Sequence, residues 1–304
     1  MGKNSKIEWT HHTFNPWYGC QKIAPGCDHC YAEGWAKRSG LVQWGPGAER
    51  RRTNTSNWKN PLRWDAAAAR MGVRYRVFCA SLADVFDNAA PTAWRVDLWC
   101  LIRRTPNLDW LIVTKRVGNV LGMLPADWGD GYPNVMILIT VTNQYEADRD
   151  IPRLLSLPAA QRGLSMEPLL DEVDLSHDLT YLDHLDWVIV GGESGIKARP
   201  MNQVWVRRLR DQCEHAAVPF LFKQWGEWLP FDESDERPGN HSAHRFDDGG
   251  WSLKIGKNKA GRLLDGRQWD GYPPTTINSD GDGRHHQPRR CGTAESGDTA
   301  GGER

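Results

Sequence analysis

The chain has 304 residues, enough to bury one large hydrophobic core or two modest ones. It carries 38 Lys and Arg residues against 38 Asp and Glu residues, so a global basic field for avid, non-specific DNA binding is absent, although a local site remains open. No apolar run approaches the roughly 18–20 residues that span a bilayer, so we expect no membrane partner.

The first chemical signal along the chain is a group of three cysteines. Cys20, Cys27 and Cys30 lie within eleven positions, and three thiolates in one loop can hold a metal while one coordination position stays open to a small molecule. Soft thiolates favour zinc, Cu(I) or an iron–sulfur cluster. Structural zinc would need a fourth ligand, with candidates in His11, His12 and His29, whereas a [4Fe–4S] cluster would need only the cysteines. The spacing leaves both interpretations open.

The compartment bears on this chemistry. We find no export signal, so we expect a reducing, cytoplasmic environment in which thiols bind metal instead of pairing as disulfides.

A basic stretch containing tryptophan follows the cysteine loop. Residues 49–54 read Glu-Arg-Arg-Arg-Thr-Asn, and Trp58, Lys59, Arg63 and Trp64 come shortly after. Arg and Lys interleaved with Trp can contact phosphates and stack on bases. A solvated loop that covers the rest of the domain accounts for these residues equally well, so both interpretations stay open.

Short apolar runs then alternate with helical stretches. The runs lack strict alternation of polar and apolar residues, as is typical of strands covered on both faces. The predicted strands are 75–80, 110–114, 135–141, 163–166, 187–190 and 219–222. The predicted helices are 90–104, 145–155, with Asn143 as its N-cap, and 203–217. This order predicts a parallel α/β sheet or barrel.

Polar or glycine residues follow each apolar run. In a parallel sheet or barrel all of these loops emerge at the carboxyl ends of the strands, where such folds bind ligands. The alternative is that loops are polar simply because they are exposed. The residues at these ends are Ser81, Asp84, Lys115, Arg116, Thr140, Asn143, Glu167, Gly191, Gly192, Glu193 and Lys223.

The composition changes from about residue 231, where polar residues, Gly and Pro become frequent, and some apolar character returns over 251–272. We therefore predict a barrel over 1–230, an extension packing on it over 231–272, and a disordered tail over 273–304.

Taken together, the motifs resemble the phage-borne three-cysteine family of radical S-adenosylmethionine (SAM) proteins over roughly residues 5–272. The first cysteine gap is six residues here, whereas the commonest radical-SAM spacing is Cys-x3-Cys-x2-Cys. The motifs that carry the resemblance are Cys20-x6-Cys27-x2-Cys30-Tyr-Ala-Glu33, Asn60-Pro-Leu-Arg63-Trp64, Ser81-Leu-Ala-Asp84-Val-Phe86, Leu111-Ile-Val-Thr-Lys115-Arg116, Glu167-Pro-Leu-Leu170, Val190-Gly-Gly-Glu-Ser194, Ala198-Arg-Pro-Met201 and Lys223-Gln-Trp-Gly-Glu-Trp228.

This resemblance implies a partial (β/α)6-7 TIM-like barrel of the radical-SAM type, with a [4Fe–4S] cluster at its mouth held by Cys20, Cys27 and Cys30. SAM would chelate the open iron, and one electron from a flavodoxin- or ferredoxin-like donor would cleave it. The resulting 5′-deoxyadenosyl radical would abstract a hydrogen atom from substrate.

SAM must also be held by side chains near the cluster. Many radical-SAM proteins bind the SAM amine with a Gly-Gly-Glu motif after an early strand, but here Gly191-Gly192-Glu193 comes late. A structural role at a strand end is the alternative for each candidate, and no catalytic residue is identified. The candidates are Ser81, Asp84, Lys115, Thr140, Glu167, Gly191, Gly192 and Glu193.

The resemblance further implies hypermodification of thymidine in phage DNA, a means of restriction evasion, within the host cytoplasm. The specific hypothesis is isomerisation of a glycine-modified thymidine, as a free nucleotide or in DNA. The alternatives are a radical-SAM enzyme acting on a peptide or tRNA, and a non-catalytic, zinc-stabilised protein that binds nucleic acid.

Overall fold

The computed structural model describes residues 5–176, 180–231 and 239–274. These residues form twelve β-strands, which in chain order are β1 (His12–Phe14), β2 (Trp17–Tyr18), β3 (Arg51–Arg52), β4 (Tyr75–Cys79), β5 (Leu108–Thr114), β6 (Val135–Thr140), β7 (Gln161–Met166), β8 (Trp187–Gly191), β9 (Phe220–Gln224), β10 (Trp228–Phe231), β11 (Ala243–Arg245) and β12 (Trp251–Lys254).

The same residues form nine α-helices and two 3-10 turns, Pro25–Cys27 and Leu121–Met123. In chain order the helices are α1 (Tyr31–Ser39), α2 (Thr55–Trp58), α3 (Asn60–Met71), α4 (Thr92–Arg103), α5 (Val117–Val120), α6 (Gln144–Leu155), α7 (Thr180–Asp183), α8 (Gln203–His215) and α9 (Lys257–Ala260). None of these helices has the length and apolar content needed to cross a membrane.

Seven strands form one parallel sheet in the order β1-β4-β5-β6-β7-β8-β9. Within the described residues β1 and β9 are its two edges, so the barrel does not close. The predicted partial (β/α) barrel is therefore confirmed. All seven carboxyl ends lie at the same edge of the sheet, as parallel pairing requires.

The sheet buries apolar side chains on both faces. On the outer face, Val77, Ile112 and Ile137 belong to a large core that also takes residues of α4, α6 and α8, such as Leu98 and Leu209. The inner face forms a separate, smaller cluster, which consists of Trp9, Phe78, Leu111, Met136, Leu138, Trp187, Ile189 and Leu221. Burial on both faces explains why these strands show no alternation of polar and apolar residues.

The six predicted strands correspond to β4 through β9, and the three predicted helices correspond to α4, α6 and α8, with ends that differ by a few residues. Asn143 caps α6 as predicted, because its side chain accepts a hydrogen bond from the N–H of Glu146 (2.9 Å). Strand β1 and helix α3 were not predicted. Neither contains a long apolar run, and β1 is fixed by its pairing with β4.

After β9 the chain forms a small antiparallel sheet in the order β10-β12-β11. Strand β10 crosses the predicted boundary at residue 230, so the division of the chain into a barrel and an extension stays a prediction. Residues 273 and 274 are described, but the rest of the tail that we predict to be disordered lies outside the described residues.

Candidate active site

The three cysteines line one cavity at the carboxyl ends of β4, β5 and β6. Its volume is about 610 Å³, including space open to solvent. Seven of the predicted site residues meet there, with Gly26, Tyr31, Trp44 and Arg116 completing much of the wall. Those seven are Cys20, Cys27, Cys30, Ser81, Asp84, Lys115 and Thr140.

Backbone contacts press the cysteine loop against the strand ends. Gly19, with a φ of +104°, donates its N–H to Leu82 O (3.1 Å) and so fixes the entry to the loop. A Cβ at Gly26 would lie 2.8 Å from the Thr142 side chain, so only glycine lets the loop pack this closely. Cys27 ends a 3-10 turn, and Cys30 is the N-cap of α1.

Asp84 organises the wall of the cavity beneath Cys20. Its carboxylate accepts hydrogen bonds from Thr114 Oγ1 (2.8 Å), from the Lys115 N–H (3.1 Å) and from Arg116 Nη1 (3.2 Å). Arg116 also donates to Cys20 Sγ (3.4 Å). Asp84 and Arg116 are both buried, so this pair joins the end of β5 to the loop after β4 and sets the position of Cys20.

The Cys20 thiol lies in a partly dehydrated environment. Burial raises its pKa to about 11, and Asp84 acts in the same direction, while Arg116 opposes them. The thiol therefore holds its proton at neutral pH, and a metal bound there would have to displace that proton.

Lys115 and Thr140 present polar groups to the cavity. Lys115 Nζ donates to Thr140 Oγ1 (3.2 Å), and within the described residues it forms no ion pair with a carboxylate. An ammonium group held in this way can bind an anionic ligand group. Across the cavity, the Tyr31 hydroxyl donates to Ser81 O (2.7 Å), and the Ser81 Oγ accepts from Asn15 Nδ2 (3.0 Å).

Glu193 faces the cysteine loop from the other side and is not among the described residues that line the cavity. Its Oε2 lies 3.0 Å from His29 Nδ1, and both of its oxygens accept from Arg199, at 2.9 Å from Nε and 2.6 Å from Nη2. Burial alone would raise the pKa of Glu193, but the hydrogen bonds from Arg199 and His29 hold that pKa below its usual value.

Arg199 completes this arrangement by donating to Pro25 O (2.9 Å) and Asp28 Oδ2 (3.3 Å). We call Glu193, Arg199, His29 and Asp28 the loop clamp. It joins the loop after β8 to the segment between Cys20 and Cys30.

The remaining predicted residues lie along β7 to β9, outside the cysteine cavity. Glu167 forms an ion pair with Lys223 (2.9 Å). Gly191 leaves room for that pair, since a Cβ there would lie 3.0 Å from Glu167 Oε1. A Cβ at Gly192 would lie 2.0 Å from Trp225 O, so this glycine serves a close backbone approach.

The histidines proposed as a fourth zinc ligand do not surround the cysteines. His11 and His12 lie at the amino end of β4, where His11 Nδ1 accepts from the Arg76 N–H (2.9 Å) and His12 stacks on Trp64. His29 is engaged by Glu193.

Among the described residues, no three His, Cys, Asp or Glu side chains are arranged to hold a metal ion. Three thiols that line one cavity form a donor set of the kind that holds an iron–sulfur cluster with one iron left open.

Arg199 is the site residue that the sequence analysis missed, although it lies within one of the quoted motifs. In the sequence, Arg199 follows Glu193 by six residues, with Gly195 between them. Its role follows only from the fold, because residues 28 and 199 are brought together from distant parts of the chain.

Comparisons with known proteins give one family. The family described as "Protein of unknown function (DUF5131)" matches residues 4–273. No curated protein matches the chain.

Among solved structures, a cysteine-to-serine variant of spore photoproduct lyase is similar with a TM-score of 0.47 and 12% identity, covering 86% of this chain and 72% of that one. A variant of the same enzyme with bound AdoMet and dinucleoside spore photoproduct gives 0.44 and 11%, covering 84% and 71%. At these values we infer nothing about function from the likeness.

The family match covers almost the whole of the described chain, from before the first strand to the last residues that pack on the barrel. It spans the cysteine loop, all seven parallel strands and the loop clamp. The chain therefore belongs to the DUF5131 family.

Proposed function

We propose that this protein is a radical SAM enzyme. The observation that carries the proposal is the meeting of Cys20, Cys27 and Cys30 in one cavity at the carboxyl ends of the strands. Cys20, Cys27 and Cys30 would hold a [4Fe–4S] cluster, which would supply one-electron reductive cleavage of bound SAM and so give methionine and a 5′-deoxyadenosyl radical. A flavodoxin- or ferredoxin-like protein is the electron donor that we expect.

The residues of the chain take distinct roles in this proposal. Cys20, Cys27 and Cys30 hold the cluster. Lys115 binds the carboxylate of SAM, because its ammonium group faces the cavity and, in the part of the chain that the structure describes, donates a hydrogen bond only to Thr140. Thr140 and Ser81 orient the ligand with their hydroxyl groups.

The other predicted residues support the site from outside. Asp84 positions Cys20 through Arg116. Glu193, predicted as a SAM ligand, instead positions the cysteine loop through the clamp, since both of its oxygens are engaged there. Glu167, Gly191 and Gly192 shape the neighbouring strand ends and remain candidates for contact with substrate.

The substrate follows from the family resemblance alone, and we propose a nucleobase of DNA or a nucleotide that carries an added glycine. Hydrogen abstraction from the glycyl Cα gives a radical stabilised by the adjacent nitrogen and carbonyl group. Migration of the thymine methylene from nitrogen to this carbon breaks a C–N bond and forms a C–C bond. Return of one hydrogen then leaves the mass unchanged.

The cofactor chemistry is tested by anaerobic reconstitution with iron and sulfide, followed by dithionite and SAM. We expect iron and sulfide in the protein and formation of 5′-deoxyadenosine, measured by mass spectrometry. Cys27→Ala should abolish both. Cys213→Ala is the matched control, because Cys213 is buried in α8 away from the cavity. Stoichiometric zinc without iron, and no 5′-deoxyadenosine, would favour the zinc-stabilised binding protein.

The substrate is tested separately with the active, reconstituted enzyme. N-glycyl thymidine, as nucleotide and within an oligonucleotide, should give a product of unchanged mass but altered retention and fragmentation. An enzyme that cleaves SAM yet leaves both forms unaltered would point to a peptide or tRNA substrate.

A further inference from the structure

A second concave surface lies beside the cysteine cavity and has no part in the chemistry described above. We call it the arginine groove. It has a volume of about 1150 Å³, including open solvent, and is formed by β2, β3, α2 and the start of α3. Its lining residues are Tyr18, Leu41, Arg51, Arg52, Thr53, Asn54, Ser56, Asn57, Asn60 and Arg63.

The charge of this groove is of one sign. Three arginines line it, and none of the described lining residues is acidic. Arg52 is neutralised by Asp97 (2.6 Å) and lies over the Trp58 ring (4.3 Å). Arg51 and Arg63 are exposed, and within the described part of the chain neither forms an ion pair with a carboxylate. Two unpaired guanidinium groups are therefore available to an anion.

The short polar side chains of the groove are partly committed to its architecture. Asn54 caps α2 by accepting from the Asn57 N–H (2.9 Å), and Asn57 Nδ2 donates to Asn15 O (2.9 Å). Arg51 Nη1 donates to Leu41 O (2.8 Å), which holds its guanidinium group over the groove. The arginines are thus the groups that remain for a ligand, on a surface held in shape by other contacts.

The arginine groove and the cysteine cavity share a wall. Tyr18 lines the groove and Cys20 lines the cavity. In the facing loop, Leu41 lines the groove and Trp44 lines the cavity. Gly45 ties the two segments together by donating to Cys20 O (3.0 Å). Two residues of chain span about 7 Å, so these lining residues of the two surfaces lie within that distance of each other.

We propose that the arginine groove binds the phosphodiester backbone of a DNA strand whose target base enters the cysteine cavity. The proposal rests on the function above for the identity of that strand and for the entry of its target base into the cysteine cavity. Guanidinium groups match phosphate geometry, and two of them suit successive phosphates better than a single one. Because the chain has a formal net charge of zero, contacts with a DNA backbone need a local basic surface of this kind.

The test is a fluorescence anisotropy titration of a labelled single-stranded DNA oligonucleotide with the full chain, over a range of salt concentrations. Arg51→Ala/Arg63→Ala should weaken binding about tenfold and reduce the slope of log affinity against log salt by about 1.4, as expected for two lost phosphate contacts. Arg51→Lys/Arg63→Lys keeps both charges and should retain the slope.

Arg70→Ala is the matched control. Arg70 lies on α3 seven residues after Arg63 and therefore on the same face of the helix, but it does not line the groove. Arg70→Ala thus removes one positive charge from that face outside the groove. It should leave the slope unchanged. Thermal unfolding of each variant identifies any loss of affinity that comes from misfolding. Arg51→Ala alone, which should lower the slope by about 0.7, keeps the test valid if the alanine pair unfolds.

Several outcomes would overturn the inference. These are an unchanged slope in the alanine pair, an equal fall in slope in Arg70→Ala, displacement of the oligonucleotide by thymidine 5′-monophosphate at equal affinity, or displacement by poly-glutamate at equal affinity. The titration contains neither iron nor SAM. A protein that fails to cleave SAM can therefore still bind DNA through the arginine groove. Conversely, loss of DNA binding by the groove variants leaves the test of SAM cleavage unaffected.

Discussion

At the scale of single residues, the loop clamp is the feature that most changes the interpretation of the site. In the sequence, Glu193 of the Gly-Gly-Glu motif was a candidate to bind the ammonium group or the ribose of SAM. The side chain instead forms hydrogen bonds with Arg199 and His29 and is almost wholly buried. A buried carboxylate with this set of donors has little capacity left for a ligand, so we expect any effect on the proposed cofactor to pass through the cysteine loop.

The clamp makes a prediction about cluster retention. Glu193→Gln keeps the shape of the side chain but removes the charge that pairs with Arg199 and turns one acceptor oxygen into an amide donor, so the half-buried guanidinium keeps the exposed Asp28 carboxylate as its ionic partner in the clamp. We expect the reconstituted variant to bind less iron and to lose it to a chelator several times faster than the wild type, followed by the absorbance of the cluster.

Glu214→Gln is the control for this prediction, because Glu214 pairs with Arg267 on the surface (3.5 Å), away from the cysteine loop. Exposed pairs contribute little, so its iron content should match the wild type. Equal iron loss in the wild type and Glu193→Gln would show that the clamp does not position the cysteines.

A second residue-scale prediction concerns pH. His11 accepts a hydrogen bond from the Arg76 N–H, and burial, with the charges of Arg76 and His12, lowers its pKa from 6.5 to about 4. Between these values the unfolded chain binds a proton and the folded chain does not. The contribution of His11 to stability is therefore complete above about pH 6.5 and is lost as the pH falls towards 4.

His11→Asn tests this linkage, since the amide oxygen can accept the same hydrogen bond but does not titrate. We expect the free energy of unfolding in urea to fall more steeply for the wild type than for the variant between pH 6.5 and 4. A difference in the free energy of unfolding between wild type and variant at pH 8, where His11 is neutral in both states, reports the loss of the ring contact with Tyr75. Parallel curves over the whole range would mean that His11 titrates normally in the folded protein.

At the scale of elements, caps and pairings fix the strand ends that carry the site. Helix α6 begins directly after β6, so its first turn decides where Thr140 and Thr142 lie. Asn143 caps that turn, and Glu146 accepts from both the N–H and the hydroxyl of Thr142 (2.8 Å each). This is close to a capping box, in which two side chains satisfy backbone donors at a helix start.

Asn143→Ala should lower the free energy of unfolding by about 1 kcal/mol, the usual cost of losing an N-cap. Asn143→Ser should recover most of that loss, because serine also caps well. The measurement is urea denaturation of both variants. A serine variant as unstable as the alanine variant would indicate that position 143 requires the amide side chain of asparagine, and that a hydrogen bond to the helix start is not sufficient.

Much of this element-scale order could be predicted from the sequence, for a physical reason. Strands β4 to β9 are buried on both faces, so each appears as a continuous apolar run, and their parallel order follows from the helices between them. Strand β1 has three residues, two of them polar, and exists because its backbone pairs with β4. No local pattern could reveal it.

The candidate site likewise has a part that could be predicted from the sequence and a part that could not. Parallel topology alone brings Ser81, Asp84, Lys115 and Thr140 to one edge of the sheet, so their meeting was predictable. The contact between His29 and Glu193 joins residues 164 positions apart and depends on how the cysteine loop folds back over the strand ends. Such contacts are set by packing and not by periodicity.

At the scale of the whole molecule, the two ends of the described chain meet at the amino side of the barrel. The Tyr272 hydroxyl donates to Glu8 O (2.9 Å), and the Trp187 indole donates to Gly271 O (2.8 Å). Arg76 lies over the Tyr272 ring (3.9 Å). These contacts cover the inner apolar cluster opposite the cysteine cavity, so the open barrel is closed at this side by its own terminal segments.

This closure predicts that Tyr272 contributes to stability although it lies far from the cysteines. Tyr272→Phe loses one hydrogen bond and should cost about 1 kcal/mol of unfolding free energy. Tyr272→Ala also uncovers Trp187 and should cost about 2–3 kcal/mol, somewhat below the range for a fully buried aromatic residue. Tyr145→Ala, at a tyrosine that is 71% exposed, should change stability by less than about 0.5 kcal/mol. Urea denaturation measures all three. If Tyr272→Ala lowered the free energy of unfolding no more than Tyr145→Ala does, the inner apolar cluster would be stable without its cover by the C-terminal segment.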